Sequence, residues 1–420
     1  MGERLAIDGG TPVRETRLQG GFHGSAEIGD AEKQAVMEVL DSKRLFRFLE
    51  GHSYAADLED FYRQRIGRGY ALAVNGGTSA LICGMYGLNL GPGDEAIIPA
   101  HTYVATAAAV IAAGAVPVLC EVDTSLNMDP VDLERKITPY TKAIIPVHMR
   151  GIPARMDEIM AVAERHGIPI MEDVAQSNGG TYKGKPLGSF GKVACFSLQQ
   201  YKIITSGEGG IMLTDDEEIY DRGRMQHDCA ARFWEGAGSK IYEFVVSGEN
   251  YRLSEVSAAL AVAQYDRLDP LLEHLRAVKA RMVAGIQDID GITLQDVPDP
   301  NGDCGITLTF FLEEADLARR FSEALSAENI GCGTVYNKAI PDRHIYAYWP
   351  FMVSGLAEPR RAPWHSPFYE GDVRGYEADQ CPQTLDLLGR SVMIFIDQSF
   401  GMTEADQVAE GVRKVANALL

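Results

Sequence analysis

The chain is expected to fold as an α/β protein. A large three-layer α/β/α domain with a mostly parallel sheet of about seven strands would be followed by a smaller α/β unit. Three observations lead there. Short β-branched runs alternate with helically spaced apolar residues from Tyr70 to Leu213, the signature of a mostly parallel sheet with helices on both faces. The notable polar clusters all follow such runs, and open α/β sheets bind ligands beyond the carboxyl ends of their strands. At 420 residues the chain also exceeds what one hydrophobic core accommodates, so a second unit is expected.

Each element has its own signal. Residues 1–25 are Gly-rich and polar and read as an extended arm. Helical spacing follows at 27–40 and 56–66, separated by the loop RLFRFLEGH at 44–52. That loop's aromatics and cations suit either the edge of a pocket or packing against the domain. Strands are expected at 70–75, 96–99, 116–122, 143–148, 169–171, 193–198 and 210–213, with helices at 79–88, 102–113, 130–137 and 156–166. A helix from 254 continues past Pro270. Beyond it, strand-like 307–312 and 392–396 are flanked by helical 314–327 and 403–419. Residues 336–383, rich in Pro, aromatics, Arg and His, read as long loops, which in a compact domain are usually functional or mobile. The division is placed at 265/266: a large domain with the arm before it and a small domain after it.

Bulk properties narrow the function. A net charge of −20 repels nucleic-acid backbones and anionic membranes, so neither is expected as a partner. The seven cysteines are scattered without a CxxC pair, which suits reduced packing residues in a reducing compartment. No apolar run approaches membrane-span length, and MGERLAIDGGTPVRE lacks the apolar core of a signal peptide. A cytoplasmic protein is expected.

One lysine stands out. Lys202 lies between an apolar run and the turn cluster Gly207–Gly210, flanked by Tyr201, Ile203 and Ile204. A lysine held away from water loses its proton more readily, and a neutral amine attacks carbonyls. An exposed loop lysine with its stem along apolar neighbours fits the same residues.

Other strand ends carry complementary groups. Asn75-Gly76-Gly77-Thr78-Ser79 opens a helix, where free N–H groups and the dipole favour phosphate, although turn plus N-cap is the plainer reading of the motif taken alone. Tyr103 follows the second strand and suits stacking on a planar ring or a place in the core. Asp173 and Gln176 follow the fifth strand. A buried acid there needs a cation or strong hydrogen bonds, and an N-cap pair is the plainer alternative. Ser197 adds a hydroxyl five residues before the lysine, or is satisfied inside the sheet. Phosphate turn, stacking aromatic, acid and lysine at one sheet edge match what pyridoxal phosphate requires. The histidines lack metal-ligand spacing, so no metal site is expected, and no P-loop, strand-linked GxGxxG or GxSxG is present.

The stretches GGTSAL, GPGDEAIIPAHTYVATAAAV, AIIPVHMRG, IMEDVAQSNGGTYKGKPLGSFG, CFSLQQYKIITSGEGG and ENYRLSEVSAA resemble the DegT/DnrJ/EryC1/StrS aminotransferases. These are fold-type I pyridoxal-phosphate enzymes with an aspartate-aminotransferase-like fold. The resemblance implies that Lys202 is the Schiff-base lysine and that Asp173 holds the pyridine nitrogen. It implies that Gln176 approaches the ring hydroxyl, that Tyr103 stacks on the ring, and that Gly77, Thr78 and Ser197 bind the phosphate. Asn250 is then expected to reach the phosphate of a partner subunit, in a homodimer with shared sites. Glutamate or glutamine would supply nitrogen to the ketone or aldehyde of a sugar or cyclitol. Another reaction on the same cofactor, or a non-catalytic cofactor-bound regulator, remains the alternative. The stretches 297–350 and 390–399 look similar to transaminases making 8-amino-octulosonate sugars, whereas LAIDGGTPVR looks more like cyclitol and antibiotic-sugar aminotransferases. His52, Arg150, His227, Tyr336 and His344 are the substrate-facing candidates, each also compatible with a surface or packing place.

Overall fold

A computed structural model describes residues 4–21, 23–234, 245–337 and 339–420. Seven short strands carry the first half of the chain: β1 Tyr70–Val74, β2 Glu95–Pro99, β3 Val116–Cys120, β4 Thr141–Ile144, β5 Met171–Asp173, β6 Val193–Ser197 and β7 Gly210–Thr214. β3, β2 and β4 form one ladder, and β5, β6, β7 and β1 another. The parallel bridges Ile144–Ile170 and Val147–Asp173 join them, so the order is β3-β2-β4-β5-β6-β7-β1. Only β7 runs against its neighbours. The strands are buried nearly throughout, as a sheet covered on both faces requires.

Helices between the strands follow the apolar spacing: α1 Asp30–Ser42, α2 Tyr54–Ile66, α3 Gly77–Gly87, α4 Ala105–Ala112, α5 Pro130–Lys136 and α6 Met156–His166. A further helix, α7 Glu217–His227, was not anticipated, because its buried face mixes Ile219 and Met225 with Asp221, Gln226 and His227. The long helix expected after Arg252 is two, α8 Glu255–Val262 and α9 Tyr265–Ile286, joined at Gln264. The C-terminal unit pairs β8 Thr293–Leu294, β9 Thr307–Phe311 and β10 Ser391–Phe395 in antiparallel register. It carries α10 Ala315–Ala327, α11 Pro382–Arg390 and α12 Met402–Leu419; α11 was also not anticipated.

Two segments do not respect the linear division. The N-terminal arm, grouped with the first 265 residues on sequence, runs along the C-terminal unit instead. Leu18 bridges Ile330, and the Ala6 and Val13 N–H groups donate to Glu328 at 2.8 and 3.0 Å. In the other direction, the aromatics of 336–383 enter the first unit's core. Tyr346, Trp349, Trp364, Tyr369 and Tyr376 are buried in the cluster that holds Leu72, Ile98 and Val116. The Tyr376 hydroxyl donates to the Pro117 carbonyl at 2.6 Å. Long connections that bury large rings are held in place by that burial, which brings residues near 342 over the carboxyl ends of the sheet.

Candidate active site

The segment between β6 and β7 positions Lys202. Leu198 donates to the Gly209 carbonyl at 2.8 Å and Gln200 to that of Gly207 at 2.9 Å, which makes the segment a wide hairpin. Ile203 and Ile204 are buried beneath it. The Gln264 side chain accepts from Thr205 N–H at 3.1 Å and donates to the Thr205 carbonyl at 2.6 Å, tying the hairpin to the α8–α9 joint. The Lys202 carbonyl accepts from Gly24 N–H at 3.1 Å. The lysine stem is thus fixed at its base, while its amine has no hydrogen-bond partner among the described residues. Burial lowers the amine's pKa, Asp173 pulls it back up, and Arg150 lowers it further.

Asp173 ends β5 and is buried. One carboxylate oxygen accepts from the Thr106 hydroxyl at 2.9 Å, and the other from Ala175 N–H at 3.1 Å. These bonds and the charge of Lys202 favour the ionised form, yet burial outweighs them and the pKa is raised. Lysine and acid act on each other's proton affinity, so they share one electrostatic environment. Its neighbour Glu172 differs. It accepts from the N–H groups of Gly188, Phe190 and Gly191 at 2.8, 2.7 and 2.7 Å. It also meets His148 Nε2 at 3.2 Å. Because Ala154 N–H donates to His148 Nδ1, Nε2 carries the proton and donates to Glu172. That pair anchors the strand end that presents Asp173.

The phosphate-turn candidate is a close approach of backbone to side chain. A Cβ on Gly77 would lie 2.7 Å from Ser197 Cβ, so a larger residue there collides with the serine. Gly76 supplies no side-chain cap to the first N–H groups of α3, which leaves them for an incoming acceptor. Thr78 is exposed on the same first turn.

Over the sheet edge, Tyr103 lies against His344, ring centroids 5.2 Å apart and tilted by 55°. His344 Nδ1 meets Asp342 at 2.7 Å. Arg150 Nη2 reaches Asp342 at 3.7 Å, and Arg150 N–H donates to Gln176 Oε1 at 3.2 Å. His101 is fully buried, its Nδ1 3.1 Å from the Leu126 carbonyl and its Nε2 without a partner. Burial and the nearby Arg150 push its pKa down to about 3. A groove of about 750 Å³ leads from Tyr103, Asp342 and His344 across the face of α10 at Ser322 and Ser326.

Of the residues singled out on sequence, Lys202, Asp173, Gln176, Tyr103, Arg150 and His344 are brought together. Three substrate candidates are not. His52 is an exposed residue bonded to Asp57 at 2.6 Å. His227 is buried at the end of α7 among Arg47, Arg224 and Arg252, which with burial push its pKa down to about 2. Tyr336 packs on Tyr348, ring centroids 5.6 Å apart. Asn250 is exposed and bridges Asp228. Thr106, His101, Asp342 and the Glu172–His148 pair were missed. Thr106 was detectable as the fourth residue after Thr102, since the two hydroxyls bond at 2.8 Å; Asp342 had no local signal.

The model of the DegT/DnrJ/EryC1/StrS aminotransferase family matches residues 26–351. The chain belongs to that family. A putative L-glutamine:3-amino-2,3-dideoxy-scyllo-inosose aminotransferase of Streptomyces kanamyceticus is 34% identical over 71% of this chain and 70% of its own length. GDP-perosamine synthase of Caulobacter vibrioides is 39% identical over 59% of this chain and 64% of its own. Among solved structures, S. venezuelae DesV in complex with a ketimine intermediate superposes with a TM-score of 0.72 and 30% identity, covering 92% and 94% of the two chains. The aminotransferase therefore has the fold-type I architecture expected of it, and its cofactor is pyridoxal 5′-phosphate. None of its described helices is long and apolar enough to cross a membrane.

Proposed function

We propose that this aminotransferase moves an amino group from glutamate or glutamine to the ketone or aldehyde of a sugar or cyclitol, as a homodimer. The carrying observation is the pairing of Lys202 with Asp173: an amine whose pKa burial lowers and a buried acid whose pKa burial raises, coupled electrostatically at the carboxyl ends of β5 and β6.

The residues present fit pyridoxal phosphate. The uncapped start of α3 at Gly77 and Thr78, pressed against Ser197, suits the phosphate. Asp173 suits a cationic ring nitrogen, which would relieve its desolvated charge. Gln176 lies beside Arg150 where it can meet the ring hydroxyl, and Tyr103 offers a partly exposed ring face. When bound, the cofactor supplies an electron sink for the carbon that loses its proton. Lys202 Nζ, whose proton affinity burial lowers, would hold the cofactor aldehyde at rest and would take and return the substrate proton. Thr106 and the Glu172–His148 pair hold Asp173 in position.

A homodimer is supported by the loop before α2. Leu45, Phe46, Phe48 and Leu49 remain 50, 46, 39 and 48% exposed, an apolar edge that suits burial against a second copy. Asn250 is likewise exposed, its Oδ1 accepting from Arg252 N–H at 3.3 Å, which leaves its amide N–H₂ to be offered to a partner's phosphate.

The test is a half-reaction. The holoenzyme mixed with L-glutamate should lose its visible band, release 2-oxoglutarate, and regain the band with a keto sugar or ketocyclitol. Lys202→Ala should give neither change beyond a single slow turnover. Repeated turnover by that variant would overturn the assignment.

A further inference from the structure

Arg150 is held in an unusual way for a buried arginine. It follows β4 at φ 53° and ψ 38°, a left-handed conformation that L side chains rarely adopt. Its N–H is hooked to Gln176, and its carbonyl accepts from the Thr307 hydroxyl at 3.1 Å. The side chain is 9% exposed, with the guanidinium 5.2 Å above the Phe395 ring. Yet none of its five donors makes a hydrogen bond among the described residues. Nε is fully enclosed and faces no acceptor.

Its nearest anion does not fill that need. Asp342 stands 3.7 Å away, beyond hydrogen-bond distance. That carboxylate is already engaged by His344, through N–H at 2.9 Å and Nδ1 at 2.7 Å. Arg68 shows the ordinary solution at similar burial. Its Nε donates to Gly188, Nη1 to Asp215 and Nη2 to Gly191, at 3.0, 2.6 and 2.5 Å. A guanidinium largely withdrawn from solvent, with Nε enclosed and no acceptor among the described residues, is completed by an arriving acceptor. Arg150 also bears on the reacting amine, since its charge lowers the proton affinity of Lys202 and of His344.

We propose that Arg150 is the carboxylate receptor of the active site. It binds a substrate carboxylate through its planar fork while the substrate's nitrogen-bearing or carbonyl carbon meets Lys202 Nζ. The inference rests on the aminotransferase reading above. Two substrates can bring that group: the amino donor, through its α-carboxylate, or an acceptor that is itself a sugar acid. The chemistry at Arg150 is the same.

The experiment compares wild-type and Arg150→Gln holoenzymes on matched pairs. L-Glutamate against its α-amide probes the donor, and a keto sugar acid against the corresponding neutral keto sugar probes the acceptor. In the wild type the carboxylate member of one pair should be preferred by about 100-fold in kcat/KM. Arg150→Gln should collapse that preference, chiefly by raising the KM of the carboxylate member far more than that of its uncharged counterpart. Collapse of the glutamate pair assigns the donor, and collapse of the sugar pair assigns the acceptor. Arg150→Lys keeps the charge without the fork and should restore only a small part of the preference. Unchanged preferences, or a loss confined to cofactor affinity, overturn the proposal.

A measurement without turnover separates this outcome from failure of the aminotransferase reading. Glutarate, an unreactive dicarboxylate, should bind the wild-type holoenzyme in calorimetry more tightly than inorganic phosphate does, and should lose about 100-fold in Arg150→Gln. Should both variants fail to fold, the wild-type comparison still decides: phosphate binding as tightly as glutarate would sink the carboxylate assignment.

Discussion

Two lysines in different regions, Lys414 buried and Lys202 half-buried, received opposite surroundings. In the seam between the N-terminal arm and the C-terminal unit, Lys414 donates to Glu328 at 2.9 Å and to the Thr11 carbonyl at 2.7 Å. Its partner carboxylate is in turn filled by two arm N–H groups. At the sheet edge, the Lys202 amine has no hydrogen-bond partner among the described residues, and its acid works on it through space. A fully engaged amine is a fastener, because its proton is fixed by short contacts. An amine with its anion at a remove gives up its proton more readily than a fully engaged one, and is therefore available for chemistry.

The comparison is broken most directly by exchanging outcomes. Lys202→Ala should cost at least ~10⁴-fold in kcat and leave the urea midpoint unchanged or raised, since a desolvated charge is removed. Lys414→Ala should do the reverse. It should lower stability by about 3–5 kcal/mol, because Glu328 is left buried without its cation, with kcat per folded molecule intact. If Lys414→Ala abolished turnover in a folded protein, the distinction would fail. Asp173→Asn sharpens the electrostatic half: kcat should fall by roughly 10²–10³-fold. Asp173 raises the Lys202 pKa, so its removal should move the amine's midpoint to lower pH in a titration of aldehyde capture by the apoprotein. An upward shift would contradict the coupling.

Smaller effects come from histidines kept neutral. Burial pushes His23 down to about 4, His101 to about 3 and His227 to about 2. The sign follows from which state takes up protons. Below 6.5 the unfolded chain protonates these rings while the folded one does not, so stability is complete above 6.5 and is lost as pH falls towards the folded values. Each ring should contribute up to about 1.4 kcal/mol per pH unit in that window. Urea midpoints at pH 7.5 and 5.0 should converge in His101→Gln relative to the parent; an unaltered gap would exclude His101. The smallest expected change is Gly77→Ala, whose methyl would meet Ser197. It should weaken cofactor affinity by about tenfold and, because Ser197 must give way, lower the stability of the cofactor-free protein in urea by about 1–2 kcal/mol.

Much of this was legible in the chain, for identifiable reasons. Strands buried on both faces read as near-continuous apolar runs, so β2, β3 and β6 announce themselves even with Glu95 and Ser197 at their ends. The lysine, the acid and the glycine turn fall at strand ends, and topology then gathers them without further information. What escaped depended on distant partners. α7 hides Asp221 and His227 on its buried face, which destroys the periodic signal. α11 follows a long aromatic segment that packs into a core some 250 residues earlier, as Tyr376 does on Pro117 (a separation of 259). Asp342 becomes significant only when that segment folds back over Tyr103 and Arg150. His52, His227 and Tyr336 looked suitable by residue type alone, and residue type does not specify which cavity a side chain enters.

The arm has a consequence for how the protein is made. The hydrogen bonds of Ala6, Val13 and Leu18 end on residues 328 and 329, and Lys414 closes the same seam from the last helix. During synthesis the arm thus leaves the ribosome before its partners, which lie 322 and 315 residues further along the chain, and cannot dock until they emerge. Shortening the distal helix by a few turns would therefore loosen the opposite end of the molecule first.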